Sequence, residues 1–257
     1  MNLVDKVAVV TGGASGLGRA TLEELIKVGV KVAAFDLNKD QGEQFVAEFG
    51  ADKVLFSCTD VTSDSSVEAA FESVIAKFGR VDICINCAGI APAKKVLDRN
   101  KKAQALSAFS IAININLIGS FNVARIAAEK MALNEPNDDN ERGVIINTAS
   151  VAAYDGQMGQ TAYAASKGGI VALMLPMARD LASSGIRVNT IAPGIMGTPM
   201  LLAMPEQVQE SLVSNIQFPK RMGAPNEFAR LSLHIIENGY INGETIRLDG
   251  AIRMPSK

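Results

Sequence analysis

The chain has 257 residues, 48% of them hydrophobic, with 25 basic against 27 acidic side chains and a net charge of -2 at neutral pH. One large core fits that length and composition, and α/β domains of this size commonly stay single. Both signs of charge are spread along the sequence, which leaves no basic footprint for nucleic acid or an anionic membrane surface, so neither partner is expected.

Three cysteines, Cys58, Cys84 and Cys87, make an odd number, which argues for a reducing compartment and against a disulfide framework. No apolar run is read as reaching the ~20 residues that span a bilayer. No amphipathic, Arg-rich presequence is seen ahead of the first apolar run. A cytoplasmic location is the default expectation, with the mitochondrial matrix as the alternative.

Short apolar runs alternate with amphipathic stretches. Strands are expected at about 6–10, 31–36, 53–58, 81–87, 143–148, 187–191 and 245–248, with helical patterns in most of the gaps. The runs VAVV, VDICIN and VIIN are apolar without alternation, as befits strands covered by helices on both faces. The pattern predicts an α/β single-domain Rossmann fold over 1–257: a doubly wound, seven-stranded parallel sheet with ligands outside the carboxyl ends of its strands. Cofactor binding is assigned to the N-terminal half, and substrate binding to a segment at about 194–218.

The first strand runs into Thr11-Gly12-Gly13-Ala14-Ser15-Gly16-Leu17-Gly18 and then into a helical pattern. Glycines let a backbone approach a pyrophosphate, and a helix N-terminus offers it unpaired amides and a favourable dipole. Asp36 ends the second strand eighteen residues after Gly18, where a carboxylate accepts from adenosine ribose hydroxyls and repels a 2′-phosphate. With Leu37 beside it and Ser15 in the turn, NAD is expected rather than NADP. Asp60 and Val61 follow the third strand and are placed around the adenine.

Cys84 and Cys87 form a C-x-x-C within a strand pattern, without a second pair, so neither zinc nor a thioredoxin-like role is expected, and no metal is assigned. After Ile90 comes a seventeen-residue insert, APAKKVLDRNKKAQALS, with Lys94, Lys95, Arg99, Lys101 and Lys102 against Asp98. It reads either as a solvated loop or as a contact for coenzyme A phosphates. The stretch NEPNDDNERG at 134–143 reads as a solvated loop.

Ser150 follows the fifth strand, and thirteen residues later Tyr163 and Lys167 stand four apart in TAYAASKGGI. Helical positions i and i+4 share a face, so phenol and ammonium share a pocket. A neighbouring cation favours the phenolate and moves a tyrosine toward a pKa useful for proton exchange with an alcohol. Ser150 is placed to hold the reacting oxygen. Pro176 interrupts this helix, where a kink or an early end is expected. The apolar stretch from Ile195 to Phe218, with Met196, Met200, Leu201, Leu202, Met204, Leu212, Val213 and Ile216, reads either as an adaptable lid over a greasy substrate or as an amphipathic helix packed on the core or another subunit. His234 lies far along a helical pattern and serves no nucleophile, which disfavours a Ser-His-Asp hydrolase.

Taken together, TGGASGLG, NCAG at 86–89, Asn116 in NLIG, Ser150, YAASK and PGIMGT at 193–198 resemble the short-chain dehydrogenase/reductase family over nearly the whole chain. Within it, GVIINTASVAA, SKGGIVALMLPMARDLA, the basic insert and the ending GETIRLDGAIRMP resemble the type II 3-hydroxyacyl-CoA dehydrogenase branch, also described as 17β-hydroxysteroid dehydrogenases. The resemblance implies an NAD-dependent oxidoreductase of lipid metabolism that interconverts 3-hydroxyacyl-CoA and 3-ketoacyl-CoA and assembles as a homotetramer. The helix bearing Tyr163 and the segment near Ile246 to Met254 are then placed at interfaces.

The implied tetrad is Asn116, Ser150, Tyr163 and Lys167: Tyr163 as acid/base, Ser150 on the substrate oxygen, Lys167 on the nicotinamide ribose and Asn116 holding a water that links Lys167 to solvent. By the same resemblance Gly12, Ser15, Gly16, Leu17, Gly18, Asp36, Asp60, Val61, Cys87, Ala88, Gly89, Pro193, Met196 and Thr198 contact the cofactor, with Tyr163 and Lys167, and Gln157 joins Ser150 and Tyr163 at the substrate. Tyr154 stands where the branch is expected to carry a phenylalanine, and Met196 where it is expected to carry an aromatic near the nicotinamide, which bears on substrate preference. Hydroxysteroid or other hydrophobic alcohol oxidation is the alternative activity. A non-catalytic NAD-binding scaffold is a further alternative, against which the intact tetrad argues.

Overall fold

The computed structural model describes residues 1–256, the side chain of Met200 excepted. Strands β1 (Val7–Thr11), β2 (Lys31–Asp36), β3 (Val54–Cys58), β4 (Ile83–Asn86), β5 (Gly143–Thr148), β6 (Ile186–Pro193) and β7 (Thr245–Leu248) form one parallel sheet in the order β3-β2-β1-β4-β5-β6-β7. The helices are α1 (Gly16–Lys27), α2 (Lys39–Phe49), α3 (Asp64–Phe78), α4 (Leu106–Ile113), α5 (Ser120–Met131), α6 (Thr161–Asp180), α7 (Pro199–Leu202), α8 (Glu206–Ser214) and α9 (Pro225–Glu237).

Alternate residues of a strand point to opposite faces, and both faces here are covered, which explains runs that are apolar without alternation. Val9, Phe35, Cys84, Ile145 and Val188 go to one core, with Phe71 of α3, Met131 of α5 and Met174 of α6. Val10, Ala34, Ile85, Ile146 and Ile191 go to the other, with Leu22 and Leu25 of α1, Phe45 of α2 and Phe228 of α9. The chain winds outward from β1 to β3 and then crosses back to β4. Between β1 and β4 the connections leave in opposite directions, and a crevice opens at that switch point.

Three expectations need correction. The helix bearing Tyr163 neither ends nor breaks at Pro176 but runs on to Asp180. Pro176 and Ala172, the residue whose carbonyl loses its partner, are both exposed, so water replaces the missing bond at little cost. The polar stretch at 134–143 is not solvated throughout. Glu141 is nearly buried and meets the equally buried Arg187 at 2.8 Å, while Arg187 also donates to the Ile235 and Ile236 carbonyls in the last turn of α9. Removing one partner of such a pair typically costs about 3–5 kcal/mol.

Finally, the run Leu106–Met131 is 26 residues with hydropathy 1.4, long and apolar enough by length and composition to cross a bilayer. It joins α4 to α5 through a π-helical turn, Asn114–Gly119. Its buried side packs on the sheet, and its other side leaves Leu106, Ile111 and Phe121 exposed.

Candidate active site

A cleft of about 1160 Å³ lies along the carboxyl ends of the central strands, large enough by ordinary pocket dimensions for two ligands side by side. Its floor is the turn between β1 and α1. Gly12 has a φ of +64°, and a Cβ there would stand 3.0 Å from the backbone of Cys87 and Ala88 at the end of β4. A Cβ on Gly18 would stand 2.2 Å from the Gly12 carbonyl. Side chains are excluded from both positions, so the first turn of α1 lies directly on the loop and its amides face the cleft.

Asp36 sits at the far rim. One carboxylate oxygen accepts from the Ala14 amide at 3.0 Å and the other from the Asn38 amide at 2.9 Å. The group therefore serves both as turn residue and as cleft lining, and each oxygen keeps a lone pair for a ligand hydroxyl. Asp60 is similarly fixed by the Thr62 amide and hydroxyl, at 2.9 and 2.7 Å. A glycine floor, a helix start and a pinned carboxylate fit a dinucleotide with its pyrophosphate over α1 and its ribose at Asp36.

At the opposite end, β5 delivers Ser150 and α6 delivers Tyr163 and Lys167. The Ser150 hydroxyl oxygen accepts from the Ala152 amide at 3.1 Å, which leaves its own proton to donate into the cleft. Lys167 is 5% exposed and donates to the Thr148 carbonyl at 2.7 Å. Burial pushes its ammonium down to about 8, with Cys87 opposing. Burial likewise pushes the Tyr163 phenol above its ordinary value, and the facing Ser150 hydroxyl opposes the rise. The Lys167 ammonium lies over the Tyr163 ring, 6.0 Å from its centroid, while it donates to the Thr148 carbonyl.

Every residue assigned from the sequence lines this cleft except Asn116: Gly12, Ser15, Gly16, Leu17, Gly18, Asp36, Asp60, Val61, Cys87, Ala88, Gly89, Ser150, Gln157, Tyr163, Lys167, Pro193, Met196 and Thr198. Asn116 is buried behind the wall, its amide accepting from the Ile90 N–H at 2.8 Å and donating to the Ile90 carbonyl and the Ser166 hydroxyl at 2.9 Å. With both ends of the amide engaged, it ties the turn after β4 to α6.

Cys84 is fully buried within β4. Cys87 is half-buried on the cleft wall, its thiol pushed up to about 11 by burial, with Thr148 and Lys167 opposing, so it is a neutral contact there. Tyr154 does not line the cleft but lies over the Arg247 guanidinium at 5.2 Å. His234 is exposed on α9. Ile90, just before the basic insert, and Ala91, its first residue, line the cleft; the insert's lysines and Arg99 are exposed on a fold-back around Asp98, which accepts from the Asn100 and Lys102 amides.

The segment 194–218 roofs the cleft with Ile195, Leu201, Met204, Val208 and Leu212, as the lid reading expects, while Ile216 packs beneath it. Sequence reasoning missed Asn114, Ile115 and Ile118, which the π-helical turn brings to the wall, and Met254 from the end of the chain.

A dinucleotide crevice joined to a serine, a tyrosine and a lysine around one reacting position defines an α/β dehydrogenase. The chain belongs to the short chain dehydrogenase family, whose model matches residues 6–209. A Drosophila melanogaster protein named 3-hydroxyacyl-CoA dehydrogenase type-2 is 54% identical over 96% of this chain and 97% of its own length. The crystal structure of 3-hydroxyacyl-CoA dehydrogenase type-2 from Mycobacterium avium agrees with a TM-score of 0.94 at 42% identity over all of both chains. A 3-ketoacyl-(acyl-carrier-protein) reductase from Brucella melitensis, complexed with NADH, agrees at 0.86 and 26% identity over 98% of this chain and all of that one.

Lys167 should leave a signature in stability. The ordinary value of 10.5 holds in the unfolded chain, against about 8 in the folded one. Between those values the unfolded state binds more protons, so this group makes stability rise with pH across the window and depresses it below about pH 8. Lys167→Met removes the titration, and its stability relative to the parent is expected to fall by roughly 2–3 kcal/mol from about pH 7 to about pH 10. Urea unfolding at both ends of that range measures it, and a difference independent of pH contradicts the depressed value.

Proposed function

We propose that the chain is an NAD-dependent dehydrogenase interconverting the 3-hydroxyl and 3-keto groups of acyl-CoA thioesters. The observation that carries the reading is the convergence of the Ser150 hydroxyl, the Tyr163 phenol and the Lys167 ammonium on one wall of the crevice floored by Gly12 and Gly18. Its likeness to proteins named for that activity, over nearly the whole of both chains, supports the acyl-CoA substrate. Oxidation of a hydroxysteroid or another hydrophobic alcohol is the competing reading, favoured by the apolar roof at Leu201, Met204, Val208 and Leu212.

When bound, the nicotinamide supplies the carbon that exchanges hydride with the substrate. Ser150 Oγ donates to the reacting oxygen and fixes its position. Tyr163 Oη exchanges the proton of that oxygen, accepting it on oxidation and returning it on reduction. Burial alone opposes ionisation of the phenol, so the Lys167 ammonium, one helical turn away, is the charge that must offset it. The roof excludes water, which strengthens each of these interactions.

NAD over NADP is supported by Asp36. Held by two amides, its carboxylate cannot swing away from a 2′-phosphate, and Leu37 beside it offers no positive charge. We further propose a homotetramer, supported by the apolar residues Phe121 and Leu175 left exposed on α5 and α6.

The deciding assay is the initial rate of NADH oxidation with acetoacetyl-CoA beside a steroid ketone and a free 3-keto ester. Preference for the thioester is expected, and equal or better rates on the others would sink the acyl-CoA assignment. In the same assay Tyr163→Phe is expected to lose roughly 10²–10⁴-fold in turnover with NADH affinity kept, as for loss of a general acid. Asp36→Ala with Leu37→Arg should move the NAD to NADP ratio of kcat/KM by roughly a hundredfold toward NADP, and an unmoved ratio refutes the role of Asp36. Light scattering should give the mass of four chains, and a monomer overturns the assembly.

A further inference from the structure

The segment after β7 returns to the cleft and is pinned there on both sides of Met254. Ile252 is fully buried against Val151 and Ile216 in a small apolar cluster of its own, apart from the two cores of the sheet. Arg247 of β7 donates to the Ile252 carbonyl at 3.1 Å, and the same guanidinium meets Asp155 at 2.8 Å and Asp249 at 2.7 Å. Two residues beyond Met254, the Ser256 carbonyl accepts from the Met158 amide at 3.0 Å. Met254 itself is half-buried, packed against that cluster and exposed to the cleft as part of its wall.

The wall at this point is apolar: Val151 and Ile195 belong to the same cluster and line the same cleft. Val151 directly follows Ser150, so the apolar surface starts one residue from the hydroxyl that holds the reacting oxygen. Substrate carbon beyond the reacting centre therefore meets this surface first. A methionine held at its backbone and compliant in its thioether sets a size limit there without imposing a polar requirement.

We propose that Met254 determines which acyl chains the enzyme accepts, by closing the apolar end of the substrate pocket. The inference rests on the acyl-CoA reading above. The geometry makes the limit a matter of side-chain volume at one position, since the backbone on either side is tied down by Arg247 and by Met158. Truncation opens the pocket and enlargement shortens it.

The test is kcat/KM at saturating NADH for a series of thioesters from acetoacetyl-CoA to 3-ketodecanoyl-CoA, in the parent, Met254→Ala and Met254→Phe. The ratio of long-chain to short-chain kcat/KM is expected to rise roughly tenfold or more in Met254→Ala and to fall by a similar factor in Met254→Phe. Met254→Leu, close in volume, should keep the parent profile. General loosening of the segment cannot produce shifts of opposite sign, so a parallel loss across all chain lengths in both variants overturns the assignment. Should the parent reduce no thioester yet reduce free 3-keto esters, the acyl-CoA reading fails instead. The same variants are then compared on esters of matched chain length, where an unmoved preference overturns the role of Met254.

Discussion

The backbone contact between Gly12 and Gly18 governs the placement of α1 and of the two strands that bound the crevice. Because neither position tolerates a Cβ, α1 begins on top of the loop that leaves β1, and that loop in turn presses on the backbone at the end of β4. The approach fixes the tilt at which Leu22 and Leu25 enter the core beneath α1. It also fixes the distance between β1 and β4 at their carboxyl ends. A methyl group at Gly18 would have to displace a backbone carbonyl, which no rotamer change can relieve.

The reacting end obeys a different rule, the cost of taking ionisable groups out of water. Lys167 and Tyr163 are both shifted away from their charged forms, one downward and one upward, by the same burial. Lys167 donates to a neutral carbonyl, that of Thr148, and lies over the Tyr163 ring. Such a site is destabilising on its own account, and the two cores of the doubly wound sheet are what tolerate it. The roof of α7 and α8, with little buried surface of its own, completes the enclosure above them.

Much of this was legible in the sequence because it is local or periodic. Apolar runs marked the seven strands to within a few residues, and the glycines before α1, Asp36 at a strand end and the i to i+4 pair in α6 announced their positions by spacing alone. What escaped reading depends on partners distant in the chain. Glu141 sits in a run of polar residues and is buried by Arg187, 46 positions away. Asn116 carries a motif-like signature, but its partners, Ile90 and Ser166, lie far from it in the chain. Tyr154, close after Ser150, turns from the cleft to Arg247, which is brought beside it by the last strand. The apolar run at 106–131 went unread: covering a sheet on one side and leaving apolar residues outside on the other gives a composition that matches a bilayer span by length and hydropathy.

The π-helical turn at Asn114–Gly119 has an evolutionary corollary. A turn closed by i to i+5 bonds holds one residue more than its neighbours, so α4 and α5 run out of phase by about 100° around a common axis. Val123 and Met131 face the core, and Asn114 and Ile118 face the cleft, because of that one extra residue. Loss of a single position there would rotate every side chain downstream to a wrong bearing, whereas the exposed fold-back at 91–105 can lengthen or shorten without moving any strand. Between β4 and β5, then, the residues before α4 can change in number, whereas those after it can change only in identity without turning side chains away from the core.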